Sequence, residues 1–478
     1  MGNLKSNRKI EPRLLKGFRD YPPEEEMARQ TLIARVRSIY ERYGFLPLQT
    51  PALEYAETLL GADYTADNLK ELFGFRGPDD VDMALRYEFT VSLARYIAVN
   101  PELALPFRRY QYGPVWRVDK PGPGRFREFM QCDFDIVGTS SMLADAEIIA
   151  VMVEVMSALG IKNFLVRYSN RKLINGLSAF AGIPDSRLQD VFRVIDKLEK
   201  QGREAVVLEL GPGRTDKSGD KIPGLNLEKK QIDYLMRFID IAATQPRDLL
   251  DSVEKLLGDI EISRQGLEEL RQIEQYLSRM NVPVDKTRID ITIVRGLGYY
   301  TGPVYETTLL ELPEYGSVFS GGRYDNLIER FSSKPLPATG SSFGVDRMLA
   351  ALIALNAVTL TKATSQVLVT TMDKSLIDDY ISLVAEIRRS GINAELFIGE
   401  TKNLNKQLKY ADRIGIPLAV ISGSDEFQSG TVTVKDLRAG AERARNLTDR
   451  DEWLKAEQVQ ETIDRSQLIL YLKRKLAQ

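Results

Sequence analysis

Not one histidine occurs among the 478 residues of this chain. That absence removes imidazole acid–base catalysis, Ser-His-Asp triads and His-ligated metals together. Cysteine is almost as scarce. Cys132 stands alone, which excludes an intramolecular disulfide and a multi-cysteine zinc site, and a reducing, cytoplasmic setting is expected. No apolar run reaches the ~18 residues a membrane helix needs. Neither sign of charge dominates: 65 Lys and Arg face 67 Asp and Glu. This excludes a wholly basic nucleic-acid coat but leaves local basic patches open. The length exceeds what one core supports and predicts two to four domains. Any chemistry must run on arginines, carboxylates, tyrosines, amides and the substrate's own groups.

The most informative stretch is Arg117–Gly138, RVDKPGPGRFREFMQCDFDIVG. KPGPG breaks regular structure, so a loop around Asp119–Gly124 between two strands is predicted. Beyond it the residues alternate. Phe126, Met130, Cys132, Phe134 and Ile136 share one parity and should pack inward, with Glu128 the exception among them. Arg125, Arg127, Gln131, Asp133 and Asp135 share the other, with Phe129 the one apolar residue among them. The second face carries arginines first and carboxylates later, Arg127 and Gln131 being roughly 13 Å apart at ~3.3 Å per residue. If the hairpin pairs, Arg117 returns to the same face. Such a surface suits a ligand anionic at one end and cationic or hydrogen-bonding at the other, as a nucleotide phosphate beside an amino acid would be. Taken alone, mixed charges on a half-exposed strand are what an ordinary solvated face carries, and that reading is favoured over a ligand site until other segments join it.

The rest of the chain frames this ribbon. A helix is predicted from about Glu24, with Leu32, Val36, Ile39, Tyr40 and Tyr43 at three- and four-residue spacings and Gly44 at its end. Leu85–Thr90 precedes a helix, and Glu88 and Thr90 would share a strand face. Phe107–Val118 reads as a strand and Asp145–Leu159 as an apolar helix. From about Asn175 to Ile262 the pattern becomes charged amphipathic helices, with a flexible loop at Gly211–Gly224 carrying Lys217 and Lys221. The sheet resumes at Arg288–Val294, then Arg295–Gly302 (RGLGYYTG), whose glycines allow close backbone approach to a ligand. A strand at Val304–Leu310 follows, and Arg323–Asp325 leads into a helix. GSSFGVDRMLAALIAL reads as strand, glycine, helix, with Arg347 in the first helical turn, where backbone N–H groups already attract anions. Beyond Thr364 strands and helices alternate, predicting a separate α/β domain with a largely parallel sheet and a basic helix side at Lys402, Lys406 and Lys409.

Together these segments resemble the histidyl-tRNA synthetases, which are class II aminoacyl-tRNA synthetases. The resemblance covers nearly the whole chain: motif 1 around Tyr43–Glu54, motif 2 at Arg117–Gln131, the RGLGYYTG stretch, motif 3 ending at Arg347, and the C-terminal domain. The class I signature contains a histidine, which this chain lacks. The resemblance implies an α+β fold, an antiparallel sheet flanked by helices with an inserted helical domain and a C-terminal α/β anticodon-binding domain. The parts would run 1–174 and 263–360 (catalytic), 175–262 (inserted) and 364–478 (anticodon-binding). It further implies a cytoplasmic homodimer that joins L-histidine to tRNA(His) through a histidyl-adenylate, with ATP as substrate and Mg²⁺ escorting pyrophosphate, and no protein-held metal.

Residue by residue, the resemblance puts Arg117 on the ATP α-phosphate and Arg125 and Arg347 on the outer phosphates. Arg295 would approach the α-phosphate from the other side, where other class II enzymes use a metal ion. Glu88, Thr90 and Gln131 would hold the α-amino group of histidine. Asp135 and Tyr300 would hold the imidazole, with Tyr299 lining the same slot. The chain departs from the family pattern at Gly298, where an acidic residue is usual, and at Asp119, where Glu is usual. Asp135 is shorter than the Glu of many members, as in the eukaryote-like branch. Lys120–Gly124 lacks the glutamine that some bacterial members use for the extra 5′ guanosine of their tRNA. Two other functions fit parts of the pattern. One is the regulatory paralogue of ATP phosphoribosyltransferase, which lacks the last domain; the other is a non-enzymatic sensor of tRNA or histidine, which need not keep a phosphate clamp.

Overall fold

The computed structural model describes residues 10–64, 69–122, 124–184, 187–195, 197–216, 219–241, 246–293, 299–438 and 460–477. Two compact units emerge, residues 1–20 with 29–358 and residues 21–28 with 359–478.

The first unit is built on an eight-stranded sheet. Its strands are β1 (Leu46–Pro47), β5 (Phe107–Trp116), β6 (Glu128–Val137), β7 (Phe164–Asn170), β10 (Thr287–Ile289), β11 (Pro303–Leu309), β12 (Ser317–Arg323) and β13 (Ala338–Gly344), in the order β1-β5-β6-β13-β12-β11-β7-β10. The six central strands are antiparallel, and the short edges β1 and β10 pair in parallel. A three-stranded sheet of β2 (Leu53–Tyr55), β3 (Gly74–Arg76) and β4 (Asp82–Leu85) lies in the same unit.

The β5–β6 hairpin pairs as its sequence predicts, Trp116 opposite Glu128 and Phe107 opposite Val137. Cys132, Phe134 and Ile136 turn to one face and are essentially inaccessible. There Phe134 meets Tyr40 of the helix Pro23–Arg42 (ring centroids 4.5 Å apart), Phe45 and Phe319. Burying each such side chain contributes about 1.5–3 kcal/mol. The helix Met142–Ala158 covers part of that face. Ser141 caps it, accepting from Leu143 N, and Gly160 ends it at φ +78°. Its Asp145 is fully buried and receives Arg323 (Nε 3.2 Å), Tyr305 and Thr339, which pins helix to sheet.

Several local expectations change. Of the strand expected over Arg288–Val294, the described part ends at Ile289, because Asp290 Oδ1 accepts from Thr292 N and turns the chain, while Val294 lies outside the described residues. The helix expected after Arg323–Asp325 is one 3₁₀ turn, Ile328–Arg330. Helices occupy most of 171–279, a wider span than the charged pattern suggested. The last, Glu261–Arg279, packs back on the first, Arg171–Ala181, through Glu269, which receives Asn170 (2.7 Å) and Lys172 (2.6 Å). The Gly211–Gly224 loop holds a small hairpin, β8 (Gly213–Thr215) with β9 (Lys221–Pro223), while Lys217 lies outside the described residues.

The second unit carries β14 (Val367–Val369), β15 (Ala394–Leu396), β16 (Leu418–Ile421), β17 (Thr431–Asp436) and β18 (Gln460–Asp464), ordered β15-β14-β16-β17-β18. Only the first two pairings are parallel, so this sheet is mixed where a largely parallel one was expected. The short helix Ser424–Ser429 between β16 and β17 explains it, since a parallel return needs a crossover of roughly a dozen residues. Val369, Leu383, Ile387, Val420 and Leu472 share its core. Lys402, Lys406 and Lys409 are exposed, as the sequence pattern implied.

Candidate active site

A cavity of about 800 Å³ opens on the face of the large sheet opposite Phe134. Nine sequence-predicted residues line it: Arg117, Arg125, Arg347, Glu88, Thr90, Gln131, Asp135, Tyr299 and Tyr300. The tenth, Arg295, lies outside the described residues, as does Gly298.

Three guanidinium groups converge on one part of the cavity. Arg117 Nε donates to the Tyr87 carbonyl (3.0 Å) and its guanidinium sits 5.2 Å from the Phe129 ring centroid. Arg125 Nε donates to Asp119 Oδ2 (3.1 Å). Arg347, in the first turn of the helix Val345–Ala354, donates to the Ser317 carbonyl. Burial, then the charges of Arg125 and Arg117, depress the pKa of Arg347. Like charges gathered this closely in a concave site favour an anion among them.

The other part of the cavity is a slot over the sheet. On β6 the side chains of Gln131, Asp133 and Asp135 face it, and all three are buried rather than wet. Asp135 stands opposite Arg109 of β5 and Gly340 of β13, and Gly340 pairs in turn with Gly322 of β12. The two glycines leave the floor flat: a Cβ on Gly340 would lie 2.0 Å from Asp135 Oδ1, and one on Gly322 2.9 Å from the Tyr300 ring. Asp135 Oδ1 accepts from Tyr324 OH (2.6 Å), and Oδ2 lies 2.7 Å from Arg109 Nη2. Burial raises the pKa of Asp135, with Arg109 and Tyr324 pulling it back. Burial also pushes Asp133 up to about 7 against the pull of Arg109. Tyr299 packs edge-on to Tyr300 (5.0 Å) and Tyr324 (5.8 Å), closing the side of the slot. Among the described residues, Gln131 Oε1 and Ser341 Oγ are buried here with no hydrogen-bond partner, a cost that a polar ligand relieves.

Glu88 reaches the cavity differently from the strand face expected for it. β4 ends at Leu85, and the Glu88 carboxylate accepts from Thr90 N (2.6 Å) and Val91 N (2.7 Å) at the start of the helix Thr90–Val99. Burial raises its pKa, and those bonds and Arg117 oppose the shift. Phe126 and Arg127 depart from the alternation because β6 begins only at Glu128. Phe126 therefore lines the cavity, and Arg127 turns to the N-terminal segment, its N–H donating to the Gly17 carbonyl and its Nη1 to that of Lys16.

Sequence reasoning left out Phe129, Tyr324, Asp133 and Arg109 as site residues. Phe129 had a signal, being the only apolar residue of its parity on the charged face. Tyr324 follows the Gly-Gly-Arg end of β12, which carried none. Arg109 becomes interpretable only once register places it opposite a residue 26 positions away.

A family model described as histidyl-tRNA synthetase matches residues 17–348, and one described as an anticodon binding domain matches 366–475. A histidine–tRNA ligase of Roseobacter denitrificans is 41% identical over 97% of this chain and 96% of its own length. One from Caulobacter vibrioides is 43% identical over 96% and 95%. The crystal structure of histidyl-tRNA synthetase from Nostoc sp. PCC 7120 superposes with a TM-score of 0.80 at 31% identity, covering 98% of this chain and all of that one.

Proposed function

The chain belongs to the histidyl-tRNA synthetase family, and we propose how its cavity performs the ligation of histidine to tRNA. The enzyme is a class II aminoacyl-tRNA synthetase using ATP, and its last domain is of the anticodon-binding kind. The regulatory-paralogue and sensor readings are not favoured. We assign the catalytic task to 1–174 and 263–360, with 175–262 as the inserted module and 364–478 as the anticodon-binding part.

The observation that carries the reading is a single cavity with clustered guanidinium groups and a buried carboxylate–tyrosine slot. Arg117 holds the α-phosphate of ATP, Arg125 and Arg347 the outer phosphates, and the Phe129 ring offers a flat face to the base. Histidine lies along the sheet. Glu88, Thr90 and Gln131 take its α-ammonium; a carboxylate has about four acceptor positions, so the two backbone bonds of Glu88 leave room. Asp135 accepts the ring N–H, Tyr300 pairs with the other ring nitrogen, and Tyr299 fills the side. Arg295 is assigned to the α-phosphate on the resemblance alone.

The histidine carboxylate is ionised at neutral pH and attacks the α-phosphorus without a side-chain base. Its oxygen–phosphorus bond forms as the bond to the bridging oxygen of pyrophosphate breaks. The ribose hydroxyl at the end of tRNA(His) then takes the acyl group and AMP leaves. The protein supplies alignment and charge neutralisation. Mg²⁺ arrives with the ATP phosphates as part of the substrate. Exposed Leu46, Leu53, Tyr55 and Phe75 support a homodimer, checked by sedimentation. A single cysteine, with no disulfide to form within the chain, supports a reducing, cytoplasmic setting.

The test is histidine-dependent exchange of pyrophosphate into ATP. The wild-type protein should exchange, and Arg117→Ala should lose about 10²–10³-fold of the rate while still binding histidine. No exchange by the wild type would overturn the assignment.

A further inference from the structure

Arg109 is fully buried beneath the slot and does not line the cavity. Its Nη2 is 2.7 Å from Asp135 Oδ2, yet none of its three nitrogens makes an aligned hydrogen bond among the described residues. Other buried arginines here behave differently. Arg86 donates to the carbonyls of Thr50, Pro51 and Pro114, and Arg323 to those of Thr139 and Ser141, so each staples separate segments together. Arg109 staples nothing of the kind. β5 and β6 are already held by a ten-residue antiparallel ladder, and the Arg109 cation faces carboxylates.

Asp133 and Asp135 lie two residues apart on one face of β6, roughly 6–7 Å apart along the strand. Both are buried, and two buried like charges at this spacing do not both ionise without a cation beside them. After burial, Arg109 is the largest influence on either group, and it favours the ionised form of both. The consequence for recognition is specific. A protonated Asp135 would present an O–H and could no longer receive a ring N–H with the same oxygen. An ionised Asp135, tethered by Tyr324 on Oδ1, keeps acceptor capacity for the ring.

We propose that Arg109 is a positioning residue for ring recognition: it keeps Asp135 an ionised, fixed acceptor, so that the slot selects a five-membered ring bearing an N–H. The inference rests on the assignment of Asp135 to the imidazole made above.

Three steady-state constants of pyrophosphate exchange test it: KM for histidine, KM for ATP, and Ki for β-(2-thienyl)alanine, whose ring matches in size but has no N–H. Arg109→Met should raise the histidine KM ~10–100-fold, the loss expected when a hydrogen bond to a charged group goes. The thienylalanine Ki and the ATP KM should each move less than about threefold. Arg109→Lys, which keeps the charge without the fork, should recover most of the histidine KM. If Arg109→Met does not fold, Arg109→Met/Asp133→Asn keeps the net charge of the cluster and should show the same selective rise. A lower kcat with unchanged histidine KM, or histidine and thienylalanine weakening together, would overturn the proposal in favour of a purely structural ion pair. Absence of wild-type exchange would instead sink the underlying assignment.

Discussion

Gly340→Ala tests most directly how the slot is shaped. The added Cβ would lie 2.0 Å from Asp135 Oδ1, 2.4 Å from its Cγ and 2.7 Å from the Phe134 carbonyl oxygen. Carbon–oxygen contacts in sheets begin at about 3.3 Å, so the carboxylate must retreat by about 1.3 Å. It cannot do so and keep the 2.6 Å bond from Tyr324. A lost hydrogen bond to a charged group costs about 1.5–3 kcal/mol, or roughly 10–150-fold in affinity. An independent argument gives the same range, since displacing a binding group by ~1 Å costs on the order of 10²-fold. Overpacking should also remove about 1–3 kcal/mol of stability. Gly340 has no positive φ, so contact alone is being tested. The assay pairs histidine and ATP KM values in pyrophosphate exchange with urea unfolding. The histidine KM should rise about 100-fold while the ATP KM stays near wild type. Gly160→Ala is the control: at φ +78° with nothing within 4 Å, it should cost about 1 kcal/mol of stability and leave both KM values alone. A folded Gly340→Ala protein with the wild-type histidine KM would refute the geometry.

Asp133 should leave a signature in stability against pH. Its native pKa, about 7 through burial, lies above the ordinary 3.8, so between those values the folded state holds a proton the unfolded chain has lost. Stability should therefore fall as pH rises from 4 to 7, by on the order of 4 kcal/mol from this group. Asp133→Asn should flatten that slope in urea titrations, and an unchanged slope would contradict the shift. Asp145→Asn strands the Arg323 cation under the helix Met142–Ala158 and should cost about 3–5 kcal/mol. Asp240→Asn, breaking a pair half exposed on both sides, should cost less than about 1 kcal/mol, and equal losses in the two variants would contradict the burial argument. A chain free of histidine consumes no histidyl-tRNA in its own synthesis, so its share of total protein should rise in histidine-starved cells; a proportional decline, by quantitative mass spectrometry, would refute this.

The ligand-facing ribbon was legible because hairpin alternation is local. Parity placed Gln131, Asp133 and Asp135 together and assigned Cys132, Phe134 and Ile136 to the core, as the fold has them. Parity failed where the strand had not begun, at Phe126 and Arg127, because the loop residues before Glu128 obey their own turn geometry. It failed at Glu88 because a carboxylate two residues before a helix finds backbone N–H groups closer than any strand neighbour. The slot floor and the Arg109 contact were illegible for a different reason. Gly322, Gly340 and Arg109 acquire meaning only from cross-strand register, a property of pairs far apart in the chain. In the second unit, helix and strand positions followed from periodicity, while strand direction depended on the length of one connection.

The strand order of the large sheet has a consequence for how the molecule is made. β6 ends at Val137 and its neighbour β13 begins at Ala338, so about 200 residues must be translated before that edge is covered. At ~5–20 residues per second a nascent β6 waits roughly 10–40 s with its outer N–H and C=O groups bare. A ribosome-arrested chain stopped before Ala338 should remain open to protease at Glu128–Val137, whereas one released after Ala354 should be closed there; protection in the shorter chain would contradict this order of assembly. Half the binding cavity is thus synthesised early and waits on the growing polypeptide for the strand that completes it.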